Sequence, residues 1–209
     1  MIRKVLARIN EFDDVSQFDS LEGFSREGKW QLRYMAEKVA SVTAFEYSEG
    51  FREGLEQTLA EAGARHRVVI CDSFEEIKKP EYHGAFDLVS MEGPVTCHGH
   101  RVEHHDLFPA VFQVLKSRAW LLPELFTDVD HYRARQNRGP TEKWVKDARR
   151  KFFNLTDDMD GTVVPVGFAI AKYRQMAEDA GFKVLRHFSM PRNWAHGDMW
   201  YIAMALEKA

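Results

Sequence analysis

The chain has 209 residues, 44% of them apolar and 29% charged, which supplies one sizeable core and a solvated surface and excludes a disordered or fibrous chain. A net charge of −3 argues against wholesale electrostatic binding of nucleic acid. Two cysteines, Cys71 and Cys97, are too few for a disulfide framework, and with no ~18-residue apolar run and no signal-peptide pattern they point to a soluble, cytoplasmic protein.

Ile2, Val5, Leu6 and Ile9 recur at helical spacing, so residues 2–12 predict a short amphipathic helix. A first strand is expected near residues 20–23, running into the glycine-bearing turn LEGFSREGKW. Beyond it Leu32, Met35, Ala36 and Val39 share one helical face. SVTAFEY (41–47) reads as a strand, residues 49–62 as a helix stopped by Gly63, and RVVICD (67–72) as a strand buried on both faces. SFEEIKK follows as a helical turn with Ser73 expected at the N-cap. AFDLVSM (85–91) is the next strand, and Leu107, Val111, Val114 and Leu115 mark the next helix. RAWLLPELF (118–126) is a fifth strand, with Pro123 expected at its end or on an edge.

Residues 127–168 break this rhythm, with no clear strand. Within them, residues 131–151 carry eight Lys/Arg against two acidic side chains. The segment follows the carboxyl end of a strand, where open α/β sheets bind ligands. Arg149, Arg150 and Lys151 read as a solvated helix terminus, while Arg133, Arg135 and Arg138 are candidates to pair with a carboxylate or phosphate of a substrate. Residues 169–180 are helical, and FKVLRHFS (182–189) and DMWYIAMALEK (198–208) are strands too close together for a parallel crossover. The alternation predicts a doubly wound, mainly parallel α/β sheet ending in an antiparallel strand, within one domain over residues 1–209 whose basic insertion forms a lid.

Three turns carry candidate chemistry. The turn over 22–28 lets backbone N–H groups approach a ligand; Glu46 ends the second strand, where a carboxylate accepts from both ribose hydroxyls; Asp72 and Ser73 follow the third, where a carboxylate receives an adenine amine or merely caps a helix. Together they fit one adenosine laid across the sheet edge. The order of elements with its terminal hairpin resembles the class I S-adenosylmethionine-dependent methyltransferases, over roughly residues 15–208. In that resemblance LEGFSREG stands for the first motif, with Glu22 as its acidic residue and Gly28 as its last glycine. Gly23 is displaced by one, and Phe24 and Arg26 stand where glycines are common. The resemblance implies a seven-stranded sheet, S-adenosyl-L-methionine as cofactor, and Glu22, Gly23, Ser25, Gly28, Glu46, Tyr47, Asp72, Ser73 and Met91 as its contacts. It also implies methyl transfer to an O or N atom. A small, anionic acceptor is expected from the basic insertion, with nucleic acid and membrane excluded as partners and self-association left open.

GFSREGKW also fits the phosphate-cradling G-x-x-x-x-G-K loop, but Trp30 stands where Ser or Thr must hold Mg²⁺. A non-catalytic scaffold of the same fold is the other alternative, motivated by the missing glycines. EGPVTCHGHRVEHHD (92–106) packs Cys97, His98, His100, His104 and His105 into nine positions. Zinc or iron binding is one reading of that loop. A general base drawn from His98, His100 or Glu92 is the preferred one, with no metal expected. Trp194 and His196 are candidates for contacts with a partner or substrate.

Overall fold

The computed structural model describes residues 2–23, 31–91, 104–191 and 197–209. The helix Ile2–Ile9 (α1) turns Ile2, Val5, Leu6 and Ile9 inward, all buried, as their spacing requires. Strand Asp19–Gly23 (β1) is followed by helix Gln31–Ala36 (α2), strand Ser41–Glu46 (β2), helix Arg52–Ala62 (α3) and strand Arg65–Ile70 (β3). Gly63 closes α3 in the left-handed conformation expected of a C-terminal glycine. Then come the turn Ser73–Glu76 (α4), strand Phe86–Met91 (β4), helix His104–Val114 (α5) and the long strand Leu115–Phe126 (β5). Helices Val129–Arg135 (α6) and Lys143–Phe153 (α7) occupy the insertion. Helix Val166–Asp179 (α8) leads into strands Phe182–Pro191 (β6) and Met199–Lys208 (β7).

The seven strands form one sheet in the order β3-β2-β1-β4-β5-β7-β6. β1 to β5 pair in parallel, while β7 runs antiparallel between β5 and β6. The predicted doubly wound sheet with its terminal antiparallel strand is therefore present. Period-two alternation sends each strand's apolar residues to opposite faces. Leu21, Phe45, Val89, Leu121 and Met204 face α5, α7 and α8. Val42, Ala44, Leu88, Leu122 and Ala203 face α1, α2 and α3. Each Val, Leu, Phe or Met side chain fully buried in this way contributes about 1.5–3 kcal/mol.

Four local expectations are corrected. β3 is an edge strand with alternately exposed residues, not one buried on both faces, because nothing pairs beyond it. The N-cap before α4 is Asp72, whose carboxylate accepts from Phe74 N at 3.0 Å, so Ser73 is the first helical residue instead. Leu115 opens β5 rather than closing α5. Pro123 lies inside a central strand; it is tolerated where the ladder to β4 ends, opposite Met91, while β5 continues against β7 to Phe126.

Candidate functional site

The carboxyl ends of the five parallel strands form one edge. In register, Gly23 stands between Phe45 and Met91, and Glu46 stands beside Ile70. β1 and β4 are neighbours although their connections leave in opposite directions along the sheet, which opens a crevice above β1. A Cβ built on Gly23 meets no atom of the described residues within 4 Å. Glu22, only 1% exposed, sits one residue below between Ala44 and Ser90. Glu46 is also buried, and its Oε1 accepts from Ser48 N at 2.9 Å, which holds the carboxylate over the turn after β2. Cys71 N donates to Glu46 O at 2.8 Å and ties the turn after β3 to the end of β2. Asp72 therefore stands next to Glu46 on the edge. Burial pushes the Cys71 thiol up to about 11, so it is a neutral neighbour rather than a nucleophile at pH 7.

The fold thus gathers Glu22, Gly23, Glu46, Asp72, Ser73 and Met91 along one edge. Tyr47, 78% exposed, extends from the same edge into solvent. Ser25, Gly28, Glu92, His98, His100, Cys97, Trp194 and His196 lie outside the described residues.

The insertion follows β5 and is tied to its end. Arg149 is not part of a solvated terminus: it is 2% exposed and donates from Nε to Gly161 O at 2.6 Å and from Nη2 to Phe126 O at 2.7 Å. These bonds reach across the insertion and fasten α7 to the end of β5. Gly161 has φ +85°, and a Cβ there would stand 2.2 Å from Lys146 O, so α7 and the following turn meet closely. Arg135 is paired with Asp198, and Arg133 Nε donates to Gly139 O at 2.8 Å. Lys146 pairs with Asp130 and Asp160, and Arg150 with Asp157. Arg138 is exposed on the loop after α6. Of the run's basic side chains, Arg135, Lys146 and Arg150 are thus met by acids that the fold returns to them from either side.

One strand, β7, runs against all the others, and it lies between β5 and β6. The fold is that of the class I methyltransferases. A S-adenosylmethionine-dependent methyltransferase from Methanosarcina mazei matches with a TM-score of 0.59 at 15% identity, over 96% of this chain and 96% of its own. The 1,6-didemethyltoxoflavin N1-methyltransferase of Burkholderia thailandensis, solved with 1,6-didemethyltoxoflavin and S-adenosylhomocysteine, matches at 0.60 and 14% identity over 100% of this chain and 77% of its own. Magnesium protoporphyrin IX methyltransferase from Synechocystis, with bound S-adenosylhomocysteine, gives 0.60 at 13% identity over 100% and 81%. No protein-family model and no curated protein sequence matches the chain.

Within the methyltransferase fold, Asp198 and Arg149 are the residues that sequence reasoning missed. For Asp198 a signal existed: an antiparallel last strand must begin beside the carboxyl end of β5, so the residue before β7 belongs to the edge. Arg149 offered none, since its acceptors are main-chain carbonyls. Among the described residues no group of three His, Cys, Asp or Glu side chains stands close enough to hold a metal ion, and no helix is long and apolar enough to cross a membrane.

Proposed function

We propose that the protein transfers a methyl group from S-adenosylmethionine to an O or N atom of a small molecule. The observation that carries this reading is the pair of carboxylates, Glu46 and Asp72, held at adjacent strand ends beside the end of β1. They suit the cofactor's donors: Glu46 accepts from the ribose hydroxyls, Asp72 receives the adenine amine, and Glu22, Gly23 and Met91 flank the methionine portion. Ser25 and Gly28, in the sequence segment that follows β1, are the candidates to supply backbone N–H groups. When bound, the sulfonium supplies a methyl group already activated for attack, so the chain's task is to align the acceptor and remove its proton. Residues His98, His100 and Glu92, in the sequence segment that follows β4, are the candidates for that proton transfer.

The fold neighbours with small-molecule names favour a small acceptor here too. The case for an anionic acceptor is weaker than the sequence suggests, because Arg135 is paired with Asp198 and Arg133 donates to Gly139 O, which leaves Arg138 as the exposed one of the three candidates. Calorimetry with S-adenosylmethionine, S-adenosylhomocysteine, NAD and ATP with Mg²⁺ tests the reading. Binding of the first two alone is expected, and preferential binding of Mg·ATP would replace methyl transfer with a nucleotide-binding role. Cofactor binding with no turnover on any acceptor would favour the scaffold alternative. Single His98→Ala and His100→Ala changes should lower turnover with cofactor affinity intact.

A further inference from the structure

We infer that Asp198 binds the methyl acceptor and selects a molecule with an apolar body and an N–H or O–H donor, against a carboxylate or phosphate. The inference rests on the methyl-transfer reading for the word acceptor, but the donor site stands on its own geometry. Asp198 is the residue before β7, fixed against the end of β5: Thr127 N donates to its main-chain oxygen at 2.8 Å, and Thr127 Oγ1 donates to Gly197 O at 2.9 Å. Its side chain is fully buried. Arg135 directs both Nε, at 3.0 Å, and Nη2 to a single oxygen, Oδ2. The other oxygen, Oδ1, is buried and accepts no hydrogen bond among the described residues. A buried carboxylate oxygen without a donor bears its full desolvation penalty, and a donor on a bound molecule removes it. Arg135 meanwhile fixes the carboxylate plane, so the direction in which Oδ1 accepts is set in advance.

The surroundings supply the rest of the recognition. Phe126, Val129 and Met199 form a third apolar cluster, separate from the two main cores and lying at the sheet's carboxyl edge. Tyr132, only partly covered, packs edge-on against Phe126 with ring centroids 4.6 Å apart. Arg135, the partner of Asp198, stands 5.9 Å from the Tyr132 ring centroid, so this partly covered ring lies on the side of the ion pair. An apolar ring close to a buried hydrogen-bond acceptor is the usual composition of a small-molecule pocket. Glu124, 1% exposed and on the same face of β5 as Phe126, places a second buried acid nearby. The nearby cations Arg135 and Arg149 are committed to Asp198 and to main-chain carbonyls. An anionic acceptor would meet two buried carboxylates and no uncommitted arginine of this pair.

The test uses ligand-observed NMR on the full chain, with and without saturating S-adenosylhomocysteine, and the probes benzylamine, benzamide, benzyl alcohol and benzoate. The three donors should bind, with benzoate at least ten-fold weaker than benzylamine. In Asp198→Asn, Arg135 retains the amide oxygen and an NH₂ takes the place of Oδ1. Benzylamine should then weaken at least ten-fold and benzoate should gain, while calorimetric affinity for S-adenosylhomocysteine stays within two-fold. Equal binding of benzoate and benzylamine to the wild type, no binding of any donor, or an unchanged benzylamine affinity in Asp198→Asn would each overturn the proposal. If Asp198→Asn does not fold by circular dichroism, Arg135→Lys serves instead: it loosens the carboxylate and should weaken benzylamine about three-fold, with no change counting against the proposal. Failure of S-adenosylhomocysteine to bind the wild type would sink the methyl-transfer reading alone.

Discussion

The two halves of the carboxyl edge are built on different length scales. On the side proposed for the cofactor, Glu46 is held by Ser48 N and Asp72 by Phe74 N, each two residues away. On the insertion side, Arg135 reaches Asp198 across 63 positions, and Arg149 reaches Phe126 O across 23 and Gly161 O across 12. The first half is set by strand ends and the turns that leave them. The second exists only once the insertion and the β6–β7 hairpin have both docked. A change on the insertion side should therefore cost stability, and a change on the cofactor side should cost affinity.

The hardest blow to that contrast is Arg149→Met. It leaves two buried carbonyls without their charged donor and should destabilise the protein by about 3–5 kcal/mol in urea unfolding. Arg149→Lys should recover little of this, because an ammonium cannot reproduce the fork. Gly161→Ala comes next, at about 2–4 kcal/mol, since it combines a left-handed backbone with a methyl driven into Lys146 O. Gly63→Ala sharpens it: φ is similar, +77°, but nothing lies within 4 Å, so about 1–2 kcal/mol is expected and the difference isolates the contact. On the cofactor side, Glu46→Ala should weaken S-adenosylmethionine by about 1–3 kcal/mol in calorimetry, through loss of a charged hydrogen bond. Its urea midpoint should move less than that of Gly161→Ala.

The smallest effect lies at the opposite edge of the sheet and serves as a control. The Ser41 hydroxyl donates to Asp19 at 2.5 Å and, with Lys116, holds the Asp19 carboxyl below the usual carboxylate range. A carboxyl lowered in the folded state binds fewer protons than in the unfolded chain. Its stabilising effect is complete above the unfolded value near 4 and is lost as the pH falls from there through the folded value. Ser41→Ala should therefore leave stability at low pH, below both values, closer to wild type than at pH 7. An effect of equal size at both pH values, followed by circular dichroism in urea, would break the link to Asp19.

What the sequence disclosed follows the same division of length scales. The mainly parallel sheet with its antiparallel end needed only alternation and the short gap before β7, the count of seven strands came with the family resemblance, and Glu46 and Asp72 were singled out because they stand at strand ends. The capping role was moved from Ser73 to Asp72, a shift of one residue at a helix start, where pattern alone separates the two poorly. Arg149 was misread because a run of Arg-Arg-Lys looks solvated until Phe126 and Gly161 are brought to it. The basic character of residues 131–151 is partly offset in the same way: the acids that pair with Arg135, Lys146 and Arg150, namely Asp198, Asp130, Asp160 and Asp157, lie outside that window. Local sequence reports charge; only the tertiary fold reports where the charge is neutralised.

β7 fills the place between β5 and β6, and β6 pairs with nothing else in the sheet. As a chain emerges from the ribosome, β6 is complete before residue 199 but has no strand to join. β5 meanwhile offers an open flank of 12 residues. Both wait for the same ten-residue segment, Met199–Lys208. Sheet completion is therefore a single late event of long sequence separation, the kind that slows folding and leaves unpaired strands available to neighbouring chains. A nascent chain stalled before Met199 forfeits two strands together, along with Asp198's anchorage to the end of β5.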